Sequence, residues 1–262
     1  MSDSSHLRVM SYNVRAAGLD EGVDAWVNRR ATVTGAVRLH RPATVGLQEV
    51  VPEQYDDVRE ALPAYEWVGE GRQGSESNEA TPVGYRADRF DLADSGTFWL
   101  SETPDQPGKG WDADCPRVAT WVHLEDRETG ERLIHVNTHL DHQGAEARRE
   151  SAALLRDRFA DRDASLVFTG DFNCMADSEP LELLTAEESP LVHAVDVCET
   201  THHGPETTFT SFDSLVSAGR IDHVFVDDDV RVTGHATATD MRPDGRFPSD
   251  HLPLVVDLEL GD

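Results

Sequence analysis

The sequence predicts a layered α/β fold in one domain over residues 1–262. Three observations predict it. Apolar runs of strand length recur along the whole chain. A few amphipathic helical stretches separate some of them. Polar residues that fit one site follow strand-like runs near both ends, and no linker or low-complexity stretch divides the chain.

Taken in order, His6–Val14 alternates and reads as a strand. Asp24–His40 places Trp26, Val27, Val33, Val37 and Leu39 near helical spacing and reads as an amphipathic helix. Ala43–Leu47 is a short apolar strand ending at Gln48 and Glu49. Pro52–Leu62 reads as a helix with proline at its start. Gly69–Glu79, rich in Gly, Ser and Glu, reads as an exposed loop. Pro82–Tyr85, Phe90–Leu100, Val118–Asp126 and Arg132–His139 fit strands, with a hairpin turn over Glu128–Glu131. Gln143–Arg162 is dense in Ala, Arg, Glu and Leu and reads as a helix. Ser165–Thr169 is a buried strand leading into Gly170–Asp171, and Pro180–Thr185 begins a short helix. Thr207–Thr210, Arg220–Val226, Val230–Thr239 and Leu252–Leu260 return to strands.

Hydrophobic residues make up 38%, enough for a core. No run of 18 apolar residues exists, so no membrane insertion is expected. Met1–His6 is short and polar, with no basic and apolar leader. A cytoplasmic monomer is the expectation. Cys115, Cys174 and Cys198 match no zinc spacing and read as reduced thiols without a chemical role.

Charge is the loudest compositional feature. Fifty acids against 23 basic residues give −27, and Lys109 is the single lysine beside 22 arginines. Such a surface repels itself in dilute salt, and molar salt cuts the Debye length to roughly 3 Å. The acids are scattered along the chain, which reads as adaptation to high salt. The alternative is an acidic surface that binds cations or basic partners. No basic stripe is present, so composition does not support a grip on long DNA.

The chemistry-bearing residues sit just after apolar runs. Asn13 follows Val9–Tyr12, Glu49 follows Val45–Gln48, and His139 follows Ile134–Thr138. Asp171 and Asn173 follow Leu166–Gly170, Asp222 lies within Arg220–Val226, and Asp250 and His251 precede the last strand. Strand ends are where a rigid scaffold presents site residues. Carboxylates, amides and histidines without thiolates suit a hard cation, Mg²⁺ or Mn²⁺.

The segments Ser11–Val14, Leu47–Val50, Asn137–Leu140, Gly170–Asn173, Ile221–His223 and Ser249–Pro253 resemble the ordered motif set of the endonuclease/exonuclease/phosphatase superfamily. That superfamily includes deoxyribonuclease I, abasic-site endonucleases, poly(A) deadenylases, inositol polyphosphate 5-phosphatases and neutral sphingomyelinases. The resemblance runs from residue 11 to about 255. It implies a four-layer α/β sandwich with two packed, mostly antiparallel β-sheets flanked by helices. Phe98–Pro104, Gly110–Asp112 and Pro116–Arg117 look like a branch of mostly uncharacterised hydrolases with some likeness to deadenylases.

The resemblance implies metal binding by Glu49, with Asn13 beside it and Asp250 as a neighbouring carboxylate. It implies that Asp171 orients or deprotonates the attacking water and that Asn173 holds phosphate or water. His251 and His139 would contact the phosphate, Asp222 would orient a site histidine, and Arg117 would bind phosphate through its guanidinium. Asp171–Asn173 is also good chemistry for an ordinary Asx turn. Glu102 and Arg86 fit surface ion pairs as well as a site, His135 and His142 read as structural or surface, and His223 is unassigned. Arg15 stands where abasic-site endonucleases carry an aspartate, which argues against abasic-site repair. The implied activity is metal-dependent hydrolysis of a phosphate ester. Its substrate is either a phosphodiester, single-stranded nucleic acid included, or a small-molecule or lipid-head-group phosphate. An inactive binding module of the same fold is the non-enzymatic alternative.

Overall fold

The computed structural model describes residues 6–74, 78–160, 162–187 and 189–261. Two six-stranded sheets carry the fold. The first is built from β1 (His6–Asn13), β2 (Thr44–Gln48), β3 (Tyr65–Val68), β4 (Val83–Arg86), β11 (Arg231–Thr237) and β12 (Leu254–Glu259). Its order is β11-β12-β1-β2-β4-β3. The second is built from β5 (Phe90–Trp99), β6 (Val118–Asp126), β7 (Arg132–His139), β8 (Ser165–Asp171), β9 (Leu191–His193) and β10 (Asp222–Asp227), in the order β5-β6-β7-β8-β10-β9. Each sheet has one parallel pairing at its centre, β1 with β2 and β7 with β8, and antiparallel pairings elsewhere. The helices are α1 (Trp26–His40), α2 (Pro52–Ala61), α3 (Ala145–Phe159) and α4 (Glu179–Leu184).

The period of two along each strand creates the layers. Leu7 and Val9 of β1 meet Leu133, Val167, Val224 and Val256 between the sheets. The intervening Met10, Tyr12 and Val14 face Trp26, Val33 and Val37 of α1 and Val58 of α2. On the other side Ile134, Val136 and Phe168 face Leu155 and Phe159 of α3 and Leu181 of α4. Three apolar clusters thus separate four layers, helix–sheet–sheet–helix, as the resemblance implies.

The same period places the site. Inward positions of β1 read Leu7, Val9, Ser11, Asn13, and those of β7 read Leu133, His135, Asn137, His139. Each series runs from apolar core to polar end. Halfway along, a buried network joins the sheets. Gln48 Nε2 donates to Asn137 Oδ1 (2.6 Å), Asn137 Nδ2 to the Leu47 carbonyl (2.7 Å), and Thr169 Oγ1 to Asn137 Oδ1 (3.1 Å). Gly46 lets the sheets approach here: a Cβ on it would lie 2.3 Å from Thr169 Oγ1 and 2.4 Å from Asn137 Oδ1. Both neighbours are fully buried and bonded. Gly46→Val should therefore destabilise the protein by at least ~1–3 kcal/mol through overpacking. Chemical denaturation measures this, and an unchanged midpoint would contradict the packing described.

Several sequence expectations need correction. Tyr65–Val68 and Leu191–His193 are strands that the sequence reading missed; both are edge strands of three or four residues. Thr207–Thr210 is not a regular strand: Phe209 and Thr210 make isolated bridges to His251 and Leu215. The helix expected over Asp24–His40 begins at Trp26, after a 3₁₀ turn over Gly22–Asp24. Its Val27 and Leu39 are 63% and 70% exposed, so they do not join the core. The helix expected over Gln143–Arg162 is Ala145–Phe159, and residue 161 lies outside the described residues. The Gly69–Glu79 loop is not wholly exposed, because Gly71 is buried and bridged to Ala80; residues 75–77 of it lie outside the described residues. Residues 1–5, on which the leader reading rested, lie outside them too. No described helix is long and apolar enough to cross a membrane.

Buried histidines give the fold a pH signature. His135, His223 and His235 are pushed down to about 3 and His193 to about 4, with burial the chief cause. His193 and His223 pair at 3.0 Å, as do His202 and His235 at 2.8 Å. In the unfolded chain a histidine titrates near ~6.5. Between about 6.5 and 3 the unfolded state thus binds more protons, and stability falls with pH. Asp227, pushed up to about 6, and Asp171, pushed up to about 7, act in the opposite sense, as do the raised Asp250 and Glu79, but the five lowered histidines, His139 included, outnumber them. The unfolding midpoint should drop as pH is lowered from 7 to 4, and a flat profile would contradict this burial.

Candidate active site

The strand ends converge on a pocket of about 590 Å³ between the sheets. Asn13, Glu49, His139, Asp171, Asn173, Asp222, Asp250 and His251 come together around it, with Arg117 on one flank. β1, β2 and β8 each lead into a residue with left-handed backbone: Arg15 (φ 58°), Glu49 (φ 62°) and Asn173 (φ 52°). Such conformations are costly for non-glycine residues and gather at functional sites. Here they turn the chain sharply as it leaves the sheet.

Asp171 is the hub. Its Oδ2 lies 3.0 Å from Asn13 Nδ2, 3.5 Å from His139 Nε2 and 3.6 Å from His251 Nε2. Its Oδ1 accepts from the Asn173 backbone N–H (2.9 Å), so the Asx turn and the site coexist. Asn173 Nδ2 donates to the Leu140 carbonyl (2.9 Å). His251 Nδ1 donates to Asp222 Oδ2 (2.8 Å), which fixes its tautomer and aims Nε2 at Asp171. Asp222 Oδ1 is buried without a hydrogen-bond partner among the described residues.

Environment drives these groups apart. Burial pushes the Asp171 carboxyl up to about 7, against the opposing charge of His251 and helped by Asp222. Burial alone would lower His251, but Asp222 and Asp171 outweigh it and hold the imidazole well above its ordinary value. Burial, then Arg117, holds His139 well below its ordinary value. The site thus pairs a cationic histidine with a neutral one beside a carboxyl poised near neutrality, a division suited to acid–base work.

Glu49 forms a second corner. Its Oε2 accepts from the Ala16 N–H (2.9 Å) and its Oε1 from Asn13 Nδ2 (3.0 Å). Burial raises its carboxyl, and the bonds from Ala16 and Asn13 overcome that, leaving it lowered. Asp250, raised by burial, lies 3.2 Å from Arg15 Nη1. Glu49, Asp171 and Asp250 line the same pocket, and carboxylate oxygens suit a hard divalent cation. Asn13 Oδ1 already accepts from the Arg15 N–H (3.0 Å), and its Nδ2 bridges Glu49 and Asp171. Asp171, Asp222 and His251 also offer ligand atoms within 4.8 Å of one another and could hold a metal ion. There, however, His251 Nδ1 is already engaged by Asp222.

Arg117 is 6% exposed. Its Nε donates to Asp141 Oδ2 (3.3 Å) and its Nη2 meets His142 Nδ1 (3.1 Å). Nη1 has no partner among the described residues. Asp141 in turn accepts from the Gln143 and Gly144 N–H groups (2.9 and 2.8 Å) at the start of α3. One aspartate therefore locks both the guanidinium and the helix entry.

A family profile, that of the Endonuclease/Exonuclease/phosphatase family, matches residues 10–251. The chain belongs to this family. An endonuclease/exonuclease/phosphatase family protein of Bacteroides thetaiotaomicron is 34% identical, with a TM-score of 0.92 over 98% of each chain. A mannosyl-6-phosphatase of Bacteroides thetaiotaomicron is 35% identical, with a TM-score of 0.88 over 96% of this chain and 99% of the other. The exoribonuclease subunit Ccr4 of the CCR4-Not complex of Emericella nidulans is 31% identical over 137 residues, 44% of this chain. That match spans 20% of Ccr4's length. Members of the family act on phosphoesters, as nucleases and as phosphatases.

Four residues that the sequence left outside the site, or open, have defined places. His142, taken as structural or surface, lines the pocket and braces Arg117. Arg86 pairs with Asp88, and Glu102 accepts from the Trp111 N–H (3.3 Å); neither lines the pocket. His223 Nε2 donates to the Cys174 carbonyl (2.9 Å), steadying the chain just beyond Asn173.

Sequence reasoning missed Arg29. It is fully buried on α1 and donates to the carbonyls of Asp24 (2.9 Å), Arg15 (2.6 Å), Pro248 (3.3 Å) and Val14. It makes no ion pair among the described residues and sits over the Trp26 and Phe212 rings. A lone buried guanidinium is expensive. It staples the segment after Asn13 to the segment before Asp250. A signal existed: Arg29 lies on the Trp26–Val33–Val37 stripe, where a charge is out of pattern.

Proposed function

We propose that this protein is a divalent-metal-dependent hydrolase of phosphate esters. The observation that carries this reading is the hub at Asp171, whose one oxygen faces an amide and two oppositely poised histidines. Glu49, Asn13 and Asp250 would hold Mg²⁺ or Mn²⁺, which when bound supplies electrophilic stabilisation of the phosphate. Asp171 and Asn173 orient a water molecule, and the Asp171 carboxylate takes its proton. The water oxygen forms the new bond to phosphorus as the bond to the alcohol oxygen breaks in line with it. His251, kept cationic by Asp222, donates to a non-bridging oxygen. His139 and the free Nη1 of Arg117 bind the phosphate from the other side. The departing alkoxide takes a proton from solvent and leaves as the alcohol, and Asp171 returns its proton to solvent.

A small phosphorylated molecule is the favoured substrate over a polynucleotide. The relative named for acting on such a molecule covers nearly the whole chain, whereas the exoribonuclease matches less than half of it. The net charge of −27 also opposes a polyanion. The test compares kcat/KM for mannose 6-phosphate, p-nitrophenyl phosphate, bis-p-nitrophenyl phosphate and a single-stranded oligonucleotide, with Mg²⁺ in 2–3 M KCl. Faster turnover of the monoesters is expected, and preference for the oligonucleotide would overturn this choice.

A further inference from the structure

The pocket has two unlike walls, and the sheet order sets them apart. Arg117 enters β6, His139 ends β7, Asp171 ends β8, and Ile221 precedes β10. These strands are consecutive neighbours in the sheet. Three strand spacings put the backbones of the two flanks roughly 14 Å apart, and side chains from both flanks narrow the gap. The β10 side is apolar: Phe209, Ala218 and Ile221 line it, and the Phe209 ring meets His251 edge-on at 5.2 Å.

The β6 side is charged. Arg72 Nη2 pairs with Glu79 Oε1 (2.9 Å), its Nε donates to Asn78 Oδ1 (3.1 Å), and its Nη1 to Cys115 Sγ (3.3 Å). The Trp99 indole N–H donates to the Arg72 carbonyl (2.8 Å). Arg72 is thus anchored on every side. Glu79 keeps one carboxylate oxygen, Oε2, without a partner among the described residues. Its side chain is 21% exposed and lines the pocket, with Asp114 and His142 nearby on the same wall.

This arrangement fits one ligand shape. A cyclic polyol has C–H faces that pack on an apolar wall and hydroxyl edges that donate to a carboxylate. A polynucleotide would need cations along its next phosphates, and this wall offers Glu79 and Asp114 instead. We infer that Glu79, held by Arg72, is a specificity-determining residue that accepts hydroxyl hydrogens from the leaving group of a small cyclic polyol phosphate. The ring's C–H face lies on Phe209, Ala218 and Ile221. Burial pushes the Glu79 carboxyl up, the sign of an acceptor withdrawn from water, although Arg72 opposes it.

This inference rests on the phosphoesterase reading above, and one experiment separates their failures. It measures kcat/KM for mannose 6-phosphate and for p-nitrophenyl phosphate, whose leaving group has no hydroxyl edge of this kind. Wild type, Glu79→Ala and Glu79→Gln are compared with Mg²⁺ in 2–3 M KCl, with circular dichroism reporting the fold. The ratio of the two values should fall at least ~10-fold in Glu79→Ala, chiefly through KM, as expected when a site built to bond a hydroxyl loses its partner. The glutamine, similar in shape and still an acceptor, should lose less. An unchanged ratio, or an equal loss on both esters, overturns the role of Glu79 while leaving the phosphoesterase reading intact. Wild-type silence on both esters, with metal present and the fold intact, overturns both.

Discussion

Asp171→Asn should lower turnover at least ~10²-fold while leaving the fold intact. The amide oxygen can still accept from the Asn173 backbone N–H, so the shape of the turn survives, while the amide nitrogen replaces the oxygen that accepted from Asn13. What is lost is a carboxylate able to take a proton and the anion that helps hold His251 cationic. Steady-state kinetics with a circular-dichroism control measures this. Turnover within a few-fold of wild type would remove Asp171 from the chemistry.

Glu49→Gln should have an effect of similar size through a different quantity. The glutamine can still accept from the Ala16 N–H or the Asn13 amide, but it removes a half-buried negative charge from the corner proposed to hold the cation. Loss of a group that only supports a metal ligand costs ~10–100-fold in affinity or activity, so loss of a ligand charge should cost at least as much. The expected outcome is a rise of ~10²-fold in the Mg²⁺ concentration for half-maximal activity. An unchanged metal requirement would move the cation elsewhere, with Asp171, Asp222 and His251 the first alternative.

Most of the fold was legible because strand periodicity is strong here. Leu7, Val9 and Leu133 mark the inter-sheet face, and the polar residues that follow at the same period mark the site. The edge strands Tyr65–Val68 and Leu191–His193 were not legible, because three or four residues cannot display a period. The predicted site residues converge, since each lies at or just beyond the end of a paired strand or against the last one. Arg72, Glu79 and Asp141 escaped notice for another reason. Their importance lies in contacts between segments far apart in sequence, such as Arg72 with Cys115 and Asp141 with Arg117. An acid-rich loop gives no sign of which of its acids turns inward.

The charge of −27 leads to a separate expectation. Thermal midpoints should rise as KCl goes from about 0.1 to 2 M, because screening relieves repulsion among surface carboxylates. A midpoint that is flat or falls with salt would contradict the high-salt reading.

The most direct measurement strips the protein with EDTA in 2–3 M KCl and follows phosphate release from p-nitrophenyl phosphate as Mg²⁺ or Mn²⁺ is restored. Activity that vanishes on stripping, returns with metal and stays absent in Asp171→Asn is the predicted result. Release that persists without metal, or that Asp171→Asn leaves untouched, would contradict a metal-dependent phosphoesterase centred on these residues.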